Sequence, residues 1–205
     1  MPTLPDAFFN ELSYRYTLSA LLVVLALLRT AAHKKGGTLT EAAFTPLEGP
    51  LLGGLRLSLS SLSVGIILVY LVYPPLTAWS QLPLPAWLRW SGAGLACLCL
   101  LLFWWVNKTL GHNFSATLRI HKQHSLVTTG PYQFVRHPMY TVLFSLLLGF
   151  SLLAANWVSF IGGVCLTLLI IIVRTPKEEA MLEATFGDTY TNYAAKTPRY
   201  FPSLR

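Results

Sequence analysis

Arginine, histidine and two tyrosines fall within Gly130 to Tyr140, GPYQFVRHPMY, which runs without a break into the apolar segment Thr141 to Ala155. Ionisable groups at the lip of a membrane span are costly unless they are paired or bind something. His137-Pro138 reads as a helix start. Proline fits the first helical position, where its missing N–H is no loss, and it pushes the preceding residue toward an extended conformation. A helix opening at Pro138 turns the amides of Met139 and Tyr140 toward its mouth, an arrangement that attracts anionic groups. Taken alone, the same residues serve equally well as interface anchors.

The second polar cluster is Arg174-Thr175-Pro176-Lys177-Glu178-Glu179. Thr175 to Glu178 fits a capping box, with Thr175 as N-cap, Pro176 at the first helical position and Glu178 at the third. That alone accounts for Glu178, while Glu179 reads as solvated and Arg174 as a snorkelling anchor at a span end. Gly187 is expected to end this helix. Asp188 is expected to cap a shorter helix carrying Tyr190 and Tyr193 on one face, which Pro198 stops. The chain contains no GxGxxG, no phosphate-loop lysine motif and no HExxH, and no GxSxG. Cys97, Cys99 and Cys165 all lie in apolar runs and read as buried small hydrophobes, so neither a metal site nor a disulfide framework is expected.

These clusters need elements to position them. Of 205 residues, 54% are hydrophobic and 11% charged, against roughly 25% charged in soluble domains. The chain is therefore read as an all-α integral membrane protein. Five apolar segments are predicted as spans: Ser13 to Thr30, Leu57 to Tyr73, Trp87 to Val106, Pro138 to Ala155 and Trp157 to Val173. Each approaches the roughly 20 residues needed to cross a bilayer. The first is the weakest, because Arg15 sits in its edge and must snorkel; an interfacial first helix with four spans is the alternative. Ala155 and Asn156 alone join the last two segments, so these form a tight antiparallel hairpin.

The net charge of +7 does not point to nucleic acid, because the basic residues lie in short loops between apolar runs. With the N-terminus outside, thirteen lysines and arginines fall on the inside and only Arg15 and Arg89 on the outside, as the positive-inside rule demands. The expected topology is N-terminus out and C-terminus cytoplasmic. Met1 to Glu11 has no basic n-region and carries Asp6 and Glu11, which argues against a cleaved signal peptide. Residues 1–106 are read as three N-terminal helices. Residues 107–205 are read as a second half made of a cytoplasmic loop, a helical hairpin and a C-terminal tail.

At these polar residues the chain resembles the isoprenylcysteine carboxyl methyltransferase family, which is related to membrane phospholipid methyltransferases. The resemblance covers about residues 107–202. It rests on His124-Ser125-Leu126-Val127, on Gly130-Pro131-Tyr132 through Arg136-His137-Pro138-Met139-Tyr140, and on Glu178-Glu179 followed by Phe186-Gly187, Tyr190 and Tyr193. It implies S-adenosyl-L-methionine as methyl donor, in a pocket closed by the cytoplasmic loop and tail, and a lipid-facing access for a lipophilic or prenylated substrate. His124, Ser125, Leu126 and Val127 would lie along the cofactor. Tyr132, His137, Pro138, Met139 and Tyr140 would contact it, and Glu178 would hydrogen-bond its polar groups. Arg174 matches the arginine that engages the substrate carboxylate, so Arg174, Glu178 and Tyr140 are the expected catalytic residues.

The chain departs from the family's eukaryotic enzymes in two places. It is shorter between Asn113 and His124, where Arg119 stands as a further cofactor contact, and Pro176 and Lys177 replace acids. Its compactness suggests a prokaryotic member in the inner membrane; a eukaryotic one would sit in the endoplasmic reticulum. The expected reaction is methyl transfer to a carboxylate, which needs no general base. N-methylation of a phospholipid head group, a non-catalytic lipid-binding module and a nicotinamide-dependent reductase are the other readings. The oligomeric state is not readable.

Overall fold

The computed structural model describes residues 4–36, 49–111 and 126–202. Its elements are α1 (Leu4–Gly36), α2 (Gly49–Val72), a 3-10 segment (Pro74–Ser80), α3 (Ala86–Leu110), a 3-10 turn (Gly130–Gln133), α4 (Pro138–Ala154), α5 (Trp157–Leu169), a π-turn (Ile170–Arg174), α6 (Thr175–Phe186) and α7 (Asp188–Lys196). Among the described residues there is no β-strand, only a bridge between Gln81 and Asn156.

Among the described residues, four helical runs are long and apolar enough to cross a membrane: Asn10–Ala32, Leu51–Val72, Ala86–Leu110 and the continuous run Trp157–Phe186. The apolar helix Pro138–Ala154 is shorter. Large apolar side chains such as Leu27 (66% exposed), Leu101 (67%) and Ile172 (68%) line the outside, as expected where lipid rather than water covers the surface. The chain is a multi-pass membrane protein with an all-α fold.

The first segment is the least apolar of the four long runs, yet it is long and apolar enough to cross a membrane. Arg15 does not need to reach the interface, because its guanidinium donates to the Leu71 carbonyl at the end of α2, where the helix dipole favours a cation. Because α5 runs on without a break into α6, the shortest continuous apolar run is α4, about 25 Å at 1.5 Å per residue. It survives as a short element by lying inside the bundle, with Val142, Leu146, Gly149, Phe150 and Leu153 buried.

Small residues set the closest contacts. α3 and α4 pack most extensively, and a Cβ on Gly92 would stand 2.7 Å from the Gly149 carbonyl oxygen. The two backbones touch there, and Ala96, one turn on from Gly92, lies beside Gly149; this is the small-residue interface typical of membrane helices. Across α2 and α5, Ser159 Oγ donates to the Ser63 carbonyl at 3.0 Å and Gly162 packs on Ser63.

The α4–α5 hairpin forms as expected. Ala155 takes the left-handed conformation (φ 51°) and its amide returns to the carbonyls of Leu152 and Ser151. Asn156 caps α5 by accepting from the Ser159 amide at 3.0 Å. At this same end Arg89 is 9% exposed rather than a loop charge. It donates to the Leu153 carbonyl (3.0 Å), Glu11 (2.7 Å) and Tyr70 OH (2.9 Å), and lies 3.7 Å from the Tyr14 ring centroid.

Two other local expectations fail. Cys99 is buried, but Cys97 and Cys165 are exposed on the lipid-facing side, since successive positions along a helix point in different directions. Asp188 does not cap α7. It is the first helical residue, and Gly187 (φ 51°) precedes it without a side-chain cap.

Candidate functional site

The site grows from three chain segments that meet at the mouth of α4. The first is the helix start itself. His137 stands before Pro138 with φ −122° and ψ 56°, and both are buried. Its carbonyl accepts from the Tyr140 amide at 3.2 Å. The expected anion cradle of free amides is thereby reduced, because the Tyr140 N–H is already used.

The second segment is the run from α5 into α6, where the capping-box reading is overturned. Thr175 has φ −60° and ψ −45°, ordinary helical values, and its Oγ1 donates to the Ile170 carbonyl at 3.1 Å. Its amide reaches the same oxygen. Proline inside a helix removes a donor and crowds the carbonyl four residues back. The wider turn over Ile170–Arg174 accommodates Pro176, so the helix continues instead of restarting.

Glu178 is thus not a cap. Its Oε2 accepts from Tyr140 OH at 2.6 Å, and Tyr140 OH accepts from Arg174 Nε at 2.7 Å. Arg174, expected as a span-end anchor in the simpler reading, is instead oriented by a tyrosine of α4. The three residues carried over as catalytic form one hydrogen-bonded chain.

The third segment is the tail. The amides of Arg136 and His137 donate to the carbonyls of Pro198 (2.8 Å) and Arg199 (2.9 Å), and Thr141 Oγ1 donates to the Tyr200 carbonyl at 2.9 Å. Tyr200 OH reaches Thr175 Oγ1 at 2.8 Å. The His137 ring stacks on Tyr140 with centroids 5.6 Å apart and lies 5.9 Å from Tyr200. α7 follows as expected, with Gly187 ending α6 and Tyr190 and Tyr193 on one face, their rings 6.3 Å apart. Tyr193 OH donates to the Tyr132 carbonyl at 2.6 Å.

Glu179 is not solvated. Its carboxylate meets His137 Nε2 at 3.1 Å, Arg136 at 3.3 Å and Arg199 at 2.6 Å. The Arg199 guanidinium is raised further above its ordinary value by that hydrogen bond. Tyr190 and Tyr193 are both pushed up to about 12, mainly by burial, with the Glu179 charge adding to Tyr190 and Tyr190 adding to Tyr193. Burial and the Glu178 charge raise Tyr132 beyond that.

Of the other expected cofactor residues, Leu126 and Val127 are half-buried just before the 3-10 turn, and Met139 packs against the core. His124, Ser125 and Arg119 lie outside the described residues. Motif reading gave no role to Arg199 or Asn107. Among the described residues four buried polar atoms have no partner, and three of them, Asn107 Oδ1, Arg136 Nε and Tyr190 OH, are at this end. An orphaned buried donor or acceptor costs about 1–3 kcal/mol, so their gathering here suits a polar ligand.

Residues 92–184 match the model of the isoprenylcysteine carboxyl methyltransferase (ICMT) family. The protein-S-isoprenylcysteine O-methyltransferase of Schizosaccharomyces pombe is 36% identical over 123 residues, 56% of this chain and 49% of that protein. Protein-S-isoprenylcysteine O-methyltransferase B of Arabidopsis thaliana is 32% identical over 96 residues, 46% of this chain and 49% of its own length. The chain therefore spans about half the length of these curated relatives. Among solved structures, a eukaryotic intramembrane Ras methyltransferase, ICMT, superposes with a TM-score of 0.61 at 22% identity, covering 92% of this chain and 67% of that one. At that identity the likeness bears on the fold.

Proposed function

We propose that this chain is an integral membrane methyltransferase that uses S-adenosyl-L-methionine and acts on the carboxylate of a prenylcysteine-like lipophilic acceptor. The observation that carries the reading is the chain Arg174–Tyr140–Glu178. It joins the arginine suited to an acceptor carboxylate to a glutamate suited to a donor's polar groups. The relatives' names and the matched segment support the same reaction class.

The residues present fit the proposed donor. Its amine, carboxylate and ribose hydroxyls need a mixed set of acceptors and donors. Glu178, Asn107 Oδ1, Arg136 Nε and Tyr190 OH supply both kinds. Tyr132, His137 and Tyr140 supply aromatic walls, with Leu126, Val127, Pro138 and Met139 beside them. His124, Ser125 and Arg119 are proposed contacts on the same grounds as before. When bound, S-adenosyl-L-methionine supplies an electrophilic methyl group.

The remaining work is positional, and good positioning supplies roughly 7–11 kcal/mol of a barrier. A carboxylate acceptor is already a nucleophile, so no base is required. Arg174 holds it by charge-assisted hydrogen bonds. Because Arg174 Nε is committed to Tyr140, the guanidinium has a fixed orientation before the acceptor arrives, which lowers the cost of binding. The tail strapped over His137 excludes water from this side. The charge asymmetry of the loops supports a site on the cytoplasmic face, with the N-terminus outside.

The test uses purified chain in detergent. Arg174→Ala is expected to raise KM for N-acetyl-S-farnesylcysteine well above its effect on S-adenosylhomocysteine affinity, whereas Glu178→Ala weakens S-adenosylhomocysteine binding itself. Calorimetry showing no binding of that ligand by folded wild-type chain would end the reading.

A further inference from the structure

Arg174 ends the π-turn and Glu178 lies in the first turn of α6. At that spacing both reach one face of the continuing helix. A single hydroxyl from α4 stands between them: Tyr140 OH is 2.7 Å from Arg174 Nε and 2.6 Å from Glu178 Oε2. The tyrosine ring is itself held, stacked on His137 with the two planes 17° apart. The direction of both bonds follows from what each group can do. A guanidinium only donates, an ionised carboxylate only accepts, and a phenol has one proton. Tyr140 therefore gives its proton to Glu178 and accepts one from Arg174, and the chain has no second arrangement. Both distances fall in the range of charge-assisted hydrogen bonds. In a site shielded from water, bonds linked in this way polarise one another.

The consequence lies in what the two ends are for. On the proposed reading, Arg174 meets the carboxylate of the acceptor. Glu178 meets the polar groups of the methyl donor, which include a cationic amine. With neither bound, the opposite charges of Arg174 and Glu178 compensate each other across the hydroxyl. A donor amine at Glu178 takes up part of the glutamate's charge. Arg174 is then less compensated and attracts an anion more strongly. An acceptor carboxylate at Arg174 does the same for a cation at Glu178, as linkage between two sites requires. We infer that the Tyr140 hydroxyl couples the two substrate sites, so that each substrate tightens the other, and only where the acceptor carries a negative charge. This rests on the donor and acceptor assignments proposed above. Tyr140 acts here through its two partners, as a positioning residue. The coupling also separates substrate from product. Methylation turns the acid into an uncharged ester, and the ester loses the extra attraction that the acid had.

The experiment titrates S-adenosylhomocysteine, which keeps the amine and has no methyl to transfer, into the full chain in detergent. Each titration is run alone, with saturating N-acetyl-S-farnesylcysteine, and with its methyl ester. In wild type the acid is expected to raise S-adenosylhomocysteine affinity about fivefold to tenfold, and the ester less than about twofold. In Tyr140→Phe the ratio of affinities with and without the acid falls to about one. The ratio is taken within one variant, so a general loss of affinity or packing cancels. Wild-type chain that binds both ligands with no effect of one on the other overturns the inference and leaves the proposed function standing. So does a Tyr140→Phe ratio equal to that of wild type, or an ester that enhances binding as much as the acid. Wild-type chain that binds S-adenosylhomocysteine but neither farnesyl compound removes the acceptor assignment and the inference with it. If Tyr140→Phe does not fold, Glu178→Gln decides the matter. It keeps an acceptor for the hydroxyl and removes the charge, so its ratio should also fall to about one; an undiminished ratio overturns the inference.

Discussion

At one end of the bundle Glu11 faces Arg89 and Tyr70; at the other, about a helix length away along α4, Glu179 faces Arg136, His137 and Arg199. Both are carboxylates among arginines and tyrosines, yet they are finished differently. Every nitrogen of Arg89 has a partner, and the cluster joins α1, α2, α3 and the end of α4. The Glu179 cluster is left incomplete. Arg136 Nε and the nearby Tyr190 OH are buried without partners, and the Arg199 side chain is 52% exposed. Among the described residues the Glu11 end has one orphaned atom, Arg15 Nε, against three at the helix mouth; a nearly satisfied network fixes a packing, and one with several gaps keeps capacity for a ligand. We propose that the first cluster is structural and that the second serves binding.

The strongest way to break that comparison is Arg89→Leu. It strands Glu11, which keeps about a third of its side chain exposed (33%), so the loss is set near the lower end for breaking a buried pair, about 2–3 kcal/mol. Thermal unfolding in detergent reads it, and S-adenosylhomocysteine affinity per folded molecule should not change. Loss of affinity in the folded variant would show that the two ends are not separate.

Next comes Glu179→Gln, which keeps an acceptor for His137 but removes the charge shared by Arg136 and Arg199. Hydrogen bonds to charged groups are worth about 1.5–3 kcal/mol, and the loss should appear mainly as weaker S-adenosylhomocysteine binding and earlier proteolysis of the tail. A variant with a lowered melting temperature and unchanged ligand binding would make this cluster as purely structural as the other.

The smallest effect concerns pH. Tyr190 and Tyr193 titrate at about 12 in the folded chain against an ordinary 10.0. A folded pKa above the unfolded one contributes stability that is complete below the unfolded value and lost above it. Docking of α7 should therefore be constant below pH 10 and weaken between pH 10 and 12. Hydrogen exchange of α7 amides at increasing pH, corrected for the intrinsic rate, measures it. Tyr193→Phe removes the bond to Tyr132 and costs about 1 kcal/mol, and it should shrink the pH-dependent part.

Much of the architecture was legible in the residues. Pro138 marks the start of α4, Gly187 the end of α6, and Ala155-Asn156 the hairpin, because each is a matter of local backbone chemistry. The failures were instructive in the same terms. Thr175-Pro176-Lys177-Glu178 has the composition of a helix start, but the apolar run before it kept the helix going and a wider turn absorbed the proline. Arg15 and Arg89 looked like loop or interface charges because nothing nearby in the chain is acidic except Glu11.

What the sequence determined by itself is therefore whatever depends on neighbouring residues: the apolar runs and their ends. Only the tertiary structure decided the pairings. Arg89 meets Glu11 across 78 positions, His137 meets Glu179 across 42 and Tyr140 meets Glu178 across 38. Contacts at such separations follow from helix packing, since a buried charge takes whichever partner the packed helices bring within reach. That is why Glu178 read as a helix cap in the chain and is a hydrogen-bond partner of Tyr140 in the fold.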